Sequence, residues 1–129
     1  MKKRWKHRKP YGRLISQDDI LLIDFGSTGS VNGTHPALVM SRRARDGKAN
    51  QWMVVPLFLK ENRSSAVQDV MIRTLDCQRL HADMYAQVTL MRSVFHSQIR
   101  GRIGHVMNQS VHAELERLLW EQIGGGEIG

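Results

Sequence analysis

Cysteine occurs once in these 129 residues, at Cys77, so the chain cannot close an internal disulfide. A reducing compartment is the natural expectation, and the cytoplasm is the simplest one. No apolar run approaches the roughly 18 residues that a membrane-spanning helix needs, so no membrane role is expected. The basic start is followed by Lys9-Pro10-Tyr11-Gly12-Arg13 rather than by the apolar stretch of a secretory signal. Metal-ligand patterns are also missing. The six histidines, His7, His35, His81, His96, His105 and His112, include neither H-E-x-x-H nor a partner pair for a C-x-x-C. Cys77 and His81 stand four apart and would share a helical face, which is half a site at best, so no metal and no cofactor are expected. No serine lies in a G-x-S-x-G elbow. The loop from Gly26 to Gly33 has neither the G-x-G-x-x-G pattern nor the Lys-Ser/Thr ending of a phosphate-cradling loop.

Against these absences stands an ordinary globular composition, 41% hydrophobic and 24% charged, which at this length specifies one domain with its own core. The net charge of +7 is unevenly placed. Residues 1–13 carry seven of the nineteen lysines and arginines and no acid, leaving twelve bases against twelve acids in the rest. Residues 1–16 therefore read as a basic arm with too little apolar content to fold alone, 17–124 as the folded domain, and 125–129 as a flexible tail. Trp5 and Tyr11 among the arm's bases suit either weak nucleic-acid contact or a plain solubilising tail.

Along the domain, Asp19-Ile20-Leu21-Leu22-Ile23-Asp24-Phe25 is an apolar run closed by glycine and reads as a strand. A loop with three glycines in eight residues follows. Pro36 to Ser41 and Trp52 to Leu59 predict two more strands, and Pro56 within the latter argues for an edge or a bulge. Gln68 to Arg73 and Tyr85 to Met91 supply further strands, Leu75 to Leu80 a short helical turn, and Arg100 to Val106 an ambiguous segment broken by two glycines. Val111, Leu115, Leu118, Leu119 and Ile123 form one helical stripe, with Asn108 or Ser110 to cap its start and Gly124 to end it. Five short strands and a C-terminal helix predict a mainly β fold of the α+β kind, a small, partly open β-barrel covered by a helix.

The order of these pieces resembles the MazF/PemK family of toxin endoribonucleases. The likeness lies in the strand Asp19 to Phe25, the glycine-rich loop, Gly33-Thr34-His35-Pro36-Ala37-Leu38-Val39-Met40-Ser41, Val54-Val55-Pro56-Leu57, Leu90-Met91-Arg92-Ser93-Val94, and Arg102-Ile103-Gly104-His105-Val106. It covers roughly residues 17 to 123. It implies an SH3-like barrel that forms a homodimer and binds single-stranded RNA. Such a protein cuts without metal to leave a 2′,3′-cyclic phosphate, and is restrained by an acidic antitoxin folded over its RNA groove. The function implied is the growth-inhibiting toxin of a type II toxin-antitoxin system.

The family commonly has arginine directly before the proline of the second strand and a threonine or serine just after the third. Here His35 and Phe58 stand at those places, and Val31 and Asn32 replace acidic and glutamine residues of the first loop. Histidine moves protons near neutral pH, so His35 becomes the expected acid or base. Arg92 and Ser93 become the expected phosphate binders, the guanidinium holding two oxygens at once. Thr34, Phe58, Lys60, His96 and the basic turn Arg42, Arg43 and Arg45 are the expected RNA contacts. Each has a plainer reading beside it. His35 then lines a loop, Arg92 pairs with an acid, His96 is a surface residue, the basic turn is a solvated face, and Trp52, Met53 and Phe58 pack in the core. On that reading the chain is a catalytically impaired module that binds RNA or a partner protein. A purely structural interaction protein with a basic arm is the remaining class.

Overall fold

The computed structural model describes residues 15–41, 51–63 and 69–122. Residues 1–14 of the basic arm, Arg42, Arg43 and Arg45, Ile123 with its glycine cap, and the C-terminal tail lie outside the described residues. Among the described residues are eight strands: β1 (Asp19–Asp24), β2 (Thr34–Val39), β3 (Gln51–Phe58), β4 (Asp69–Ile72), β5 (Cys77–Gln78), β6 (Met84–Gln87), β7 (Arg92–Phe95) and β8 (Ile99–Val106). The α-helix α1 (Gln109–Gln122) follows. All pairings are antiparallel. The strand order is β4-β6-β3-β2-β1-β8-β5, with β7 also paired to β3. The result is a nearly closed barrel with one helix against it, as the resemblance implied. Among the described residues no helix is long and apolar enough to cross a membrane.

β1 is apolar throughout its middle because both of its faces are covered, which is what a short unbroken apolar run signifies. Ile20 faces one cluster with Leu38, Val55, Leu57, Ile72, Ala86, Val106 and the helix residues Leu115 and Leu118. Leu21 and Ile23 face a second cluster with Ala37, Val39, Trp52, Val54, Val94 and Ile99. The two-residue period of a strand sends neighbours to opposite sides, so one stretch of sheet serves two cores. Each fully buried Leu or Ile contributes about 1.5–3 kcal/mol by leaving water. Trp52 is thus a core residue, as expected, whereas Met53, expected in the core with it, is exposed.

Several sequence expectations need correction. Five strands become eight among the described residues, because β5, β7 and β8 escaped notice or stayed ambiguous. Pro56 lies neither on an edge strand nor in a bulge. It pairs with Ala37 of β2 at the place where the other side of β3 changes partner, from β7 over Gln51–Val54 to β6 over Leu57–Phe58. The missing N–H therefore falls where no ladder bond is asked of it. The helical turn expected over Leu75 to Leu80 is a single 3-10 turn at Thr74–Asp76 followed by β5. Cys77 and His81 consequently share no helical face.

α1 begins as capping chemistry requires. Asn108 is the cap, its side-chain oxygen accepting the N–H of Ser110 at 2.9 Å. The Asn108 amide in turn donates to the buried Asp76 carboxylate at 2.9 Å. Asp76 also accepts from the Arg73 guanidinium at 3.2 Å, and its carbonyl accepts from the N–H groups of Met107 and Asn108. One carboxylate thereby fixes the helix start to the turn before β5. The hydrogen bonds from Arg73 and Asn108 hold its pKa down at about 2. At Gly104 a Cβ would meet the carbonyl oxygen of Gln78 at 2.8 Å, so only glycine allows β8 to approach β5 this closely.

Candidate functional site

The site is built where β1 turns into β2. The loop between them is closed at its base, with Gly33 donating to the Gly26 carbonyl at 2.7 Å and Phe25 donating to the Gly33 carbonyl at 2.9 Å. Gly33 has φ +81, a conformation that glycine takes without strain and other residues rarely adopt. Val31 is buried and anchors the loop from within. The chain then enters β2 through Thr34, opposite Asp24, and His35, opposite Ile23.

Three groups hold the half-buried His35 ring. Its Nε2 lies 2.7 Å from the Asn32 carbonyl oxygen. A carbonyl can only accept, so Nε2 carries the hydrogen, and in the neutral ring Nδ1 holds the lone pair. The ring of Phe58 lies 5.2 Å away at an interplanar angle of 53°, and that of Phe25 6.2 Å away at 49°. Both separations fall in the range of favourable tilted ring pairs. Among the described residues no hydrogen bond engages Nδ1, which leaves one imidazole nitrogen, oriented from the other side, for a ligand.

Arg92 reaches the same cluster from β7. Its guanidinium carbon lies 5.9 Å from the centre of the Phe25 ring. Nε donates to the Leu90 carbonyl at 3.2 Å and one terminal nitrogen to the Ser30 hydroxyl at 3.3 Å. Among the described residues Arg92 has no carboxylate partner. Two of its five donors are thus spent on orientation, and the rest remain for an anion. Ser93 is not brought to it. As the next residue on the strand it points the other way and donates to the Gln51 side chain at 3.1 Å, beside exposed Met53 and Phe95.

The remaining expected contacts surround this cluster more loosely. Thr34 is exposed at the head of β2, and Lys60 is exposed in the turn that follows Phe58. His96 opens the turn between β7 and β8. That turn is tied to the loop by Gln98, which donates to the Asp24 carbonyl at 3.0 Å, and by the ion pair of Arg100 with Asp24 at 2.9 Å. Sequence reasoning missed Phe25, Ser30 and the Asn32 carbonyl. Only Phe25 left a trace, as an aromatic closing a strand before glycine.

Fold and site together define a small antiparallel barrel in which the head of β2 presents an oriented imidazole, with an arginine near the same phenylalanine ring. The family model for the PemK-like, MazF-like toxin of type II toxin-antitoxin systems matches residues 16–122, and the chain belongs to that family. No curated protein sequence matches it. Among solved structures, a crystal structure of MazF from Deinococcus radiodurans is similar, with a TM-score of 0.68 at 18% identity over 85% of this chain and 96% of that one. A MazE-MazF structure from the same organism gives 0.63 at 17%, over 85% and 95%. An endoribonuclease in complex with its cognate antitoxin from a mycobacterial species gives 0.63 at 16%, over 85% and 93%. At these identities the structures speak to the fold alone.

Proposed function

We propose that the chain is a metal-independent endoribonuclease toxin that cuts single-stranded RNA to a 2′,3′-cyclic phosphate, with His35 and Arg92 at the centre. The observation that carries this reading is the orientation of His35. Its Nε2 hydrogen is committed to the Asn32 carbonyl, so Nδ1 is the basic atom presented to substrate. In the proposed reaction Nδ1 takes the proton of the 2′-hydroxyl as its oxygen bonds to phosphorus. The bond from phosphorus to the 5′ oxygen then breaks, and the protonated His35 ring returns its proton to that oxygen, which leaves as a hydroxyl. Arg92 supplies the positive charge that the phosphorane needs. Thr34 and Lys60, with Arg42, Arg43 and Arg45, are proposed to follow the RNA backbone, as basic loops next to a groove do. Phe58 and His96 complete the proposed RNA contacts. Ser93, which faces away from Arg92, takes no part in this scheme.

The likeness to structures titled as antitoxin complexes supports a protein antitoxin as partner, and the basic turn with Arg42, Arg43 and Arg45 suits an acidic one. A homodimer acting in the cytoplasm completes the proposal. A second reading is favoured by one observation. Phe58, where the family commonly has a hydroxyl, lies against His35 and offers no donor to phosphate, as in a barrel that binds RNA or a partner without cutting.

Incubating the purified protein with a long mixed-sequence RNA in EDTA, with mapping of the new 5′ ends, decides between them. Discrete cuts that survive chelation and vanish in His35→Ala are expected. Intact RNA at enzyme excess, with the protein shown to be folded, would transfer the assignment to the binding module.

A further inference from the structure

A second cluster lies at the other end of β1. Asp19 pairs with His105 of β8, four residues along β1 from the Ile23 that faces His35, about 13 Å at the rise of a strand. The Asp19 side chain is 3% exposed, and both of its oxygens are engaged. Oδ1 accepts from Nδ1 of His105 at 2.7 Å, and Oδ2 accepts from the N–H of Ser16 at 2.8 Å with Arg102 at 3.5 Å. A buried carboxylate that holds one imidazole nitrogen fixes the ring and turns the other nitrogen to a ligand.

These groups line a cavity of about 350 Å³ together with Arg79. Among the described residues Arg79 makes no hydrogen bond or ion pair, and it has φ 66, a left-handed conformation that a side-chain-bearing residue rarely adopts. Such outliers persist where the surroundings impose them and are frequent at ligand sites. Two guanidiniums thus stand against one carboxylate, so the cavity carries a net positive charge. Arg79 and Arg102 also line an adjoining cavity of about 550 Å³, whose other walls include Pro36, Met84 and Ile103. A cationic chamber opening beside an apolar one has the chemistry of a phosphate next to a nucleobase.

We propose that the paired cavities at the β5–β8 edge bind a nucleoside phosphate, with Arg79, Arg102 and His105 on the phosphate and the Pro36–Met84–Ile103 surface on the base. The unit is either a free nucleotide or the phosphorylated end of an RNA chain, which share this chemistry. Its apolar wall reaches Pro36, which follows His35 on β2 and faces the other side of the strand, and binding there does not depend on cleavage.

The test is a titration of the full chain followed by backbone amide NMR, with AMP, adenosine, and a short oligoribonucleotide bearing a 5′-phosphate or a 5′-hydroxyl. AMP is expected to shift signals of Arg79, Gly104 and His105, and to bind about 10-fold more tightly than adenosine, as charge-assisted hydrogen bonds dictate. Arg79→Gly is the informative variant, because it removes the guanidinium while relieving the left-handed backbone. It is expected to weaken AMP about 10-fold with no loss of thermal stability, and Arg79→Lys to retain part of the affinity. Tighter binding of the 5′-phosphorylated oligonucleotide than of AMP assigns the site to RNA ends, and the reverse assigns it to free nucleotide. Equal binding of AMP and adenosine, unchanged AMP affinity in Arg79→Gly, or no shifts at these residues at millimolar AMP would overturn the proposal.

Discussion

The rings of His35 and Phe58 lie 5.2 Å apart, tilted by 53°, so the residue that replaces a hydroxyl position packs on the residue that replaces an arginine. The two departures from the family pattern form one contact. Phe58→Ala is expected to free the ring on one side and lower RNA cleavage about 10- to 100-fold, chiefly in kcat, since misplacing a catalytic group costs that much. Phe58→Tyr preserves the ring and is expected to remain within a few-fold. Single-turnover cleavage of a defined oligonucleotide, with thermal melting to confirm folding, checks both.

Asp76 links pH to the start of α1. Its pKa of about 2 lies below the ordinary carboxylate value of 3.8, so its ionised form is the one the fold favours. That contribution is complete above about pH 4 and is lost as pH falls through 2. Asp76→Ala leaves the Asn108 amide and the Arg73 guanidinium without their acceptor and is expected to cost about 1–3 kcal/mol at neutral pH. The acid-induced loss of stability between pH 4 and 2 should be smaller in the variant. Urea unfolding at a series of pH values measures both.

Cys77 is predicted to be a sluggish thiol. Partial burial, aided by the negative charge of Asp76, pushes its pKa up to about 11, and the thiolate is the reactive form. Alkylation by iodoacetamide at pH 8 is expected to be at least about 10-fold slower in the folded protein than in urea, where the ordinary thiol value returns. Comparable rates in the two states would remove this account of the environment of Cys77.

Much of the barrel was legible because burial writes itself into side chains. β1, β2, β3 and the stripe of α1 are runs or periods of apolar residues. β7 was invisible as a strand because only Val94 of its four residues is buried, which leaves no alternation to read. β8 is broken by the very glycine that its approach to β5 requires. At the site, the resemblance singled out His35, Phe58 and Arg92, and the structure sets Phe58 against His35 and both His35 and Arg92 near Phe25. The partner that sets the tautomer of His35 is a backbone carbonyl, and a carbonyl is present at every residue, so no sequence pattern marks it. Ser93 was grouped with Arg92 by adjacency along the chain, whereas adjacency on a strand means opposite faces.

The pairing of β1 with β8 joins Asp19 to His105, 86 positions away. A ribosome delivers the two strands far apart in time, and until the second emerges the first keeps one row of peptide groups unpaired, a template for the wrong neighbour. Phe25, which braces His35, directly follows that waiting strand. The seam between β1 and β8 is therefore also a timer: a nascent chain holds its histidine, phenylalanines and arginine well before it holds them in register, and an interrupted product carries an open edge instead of a finished site.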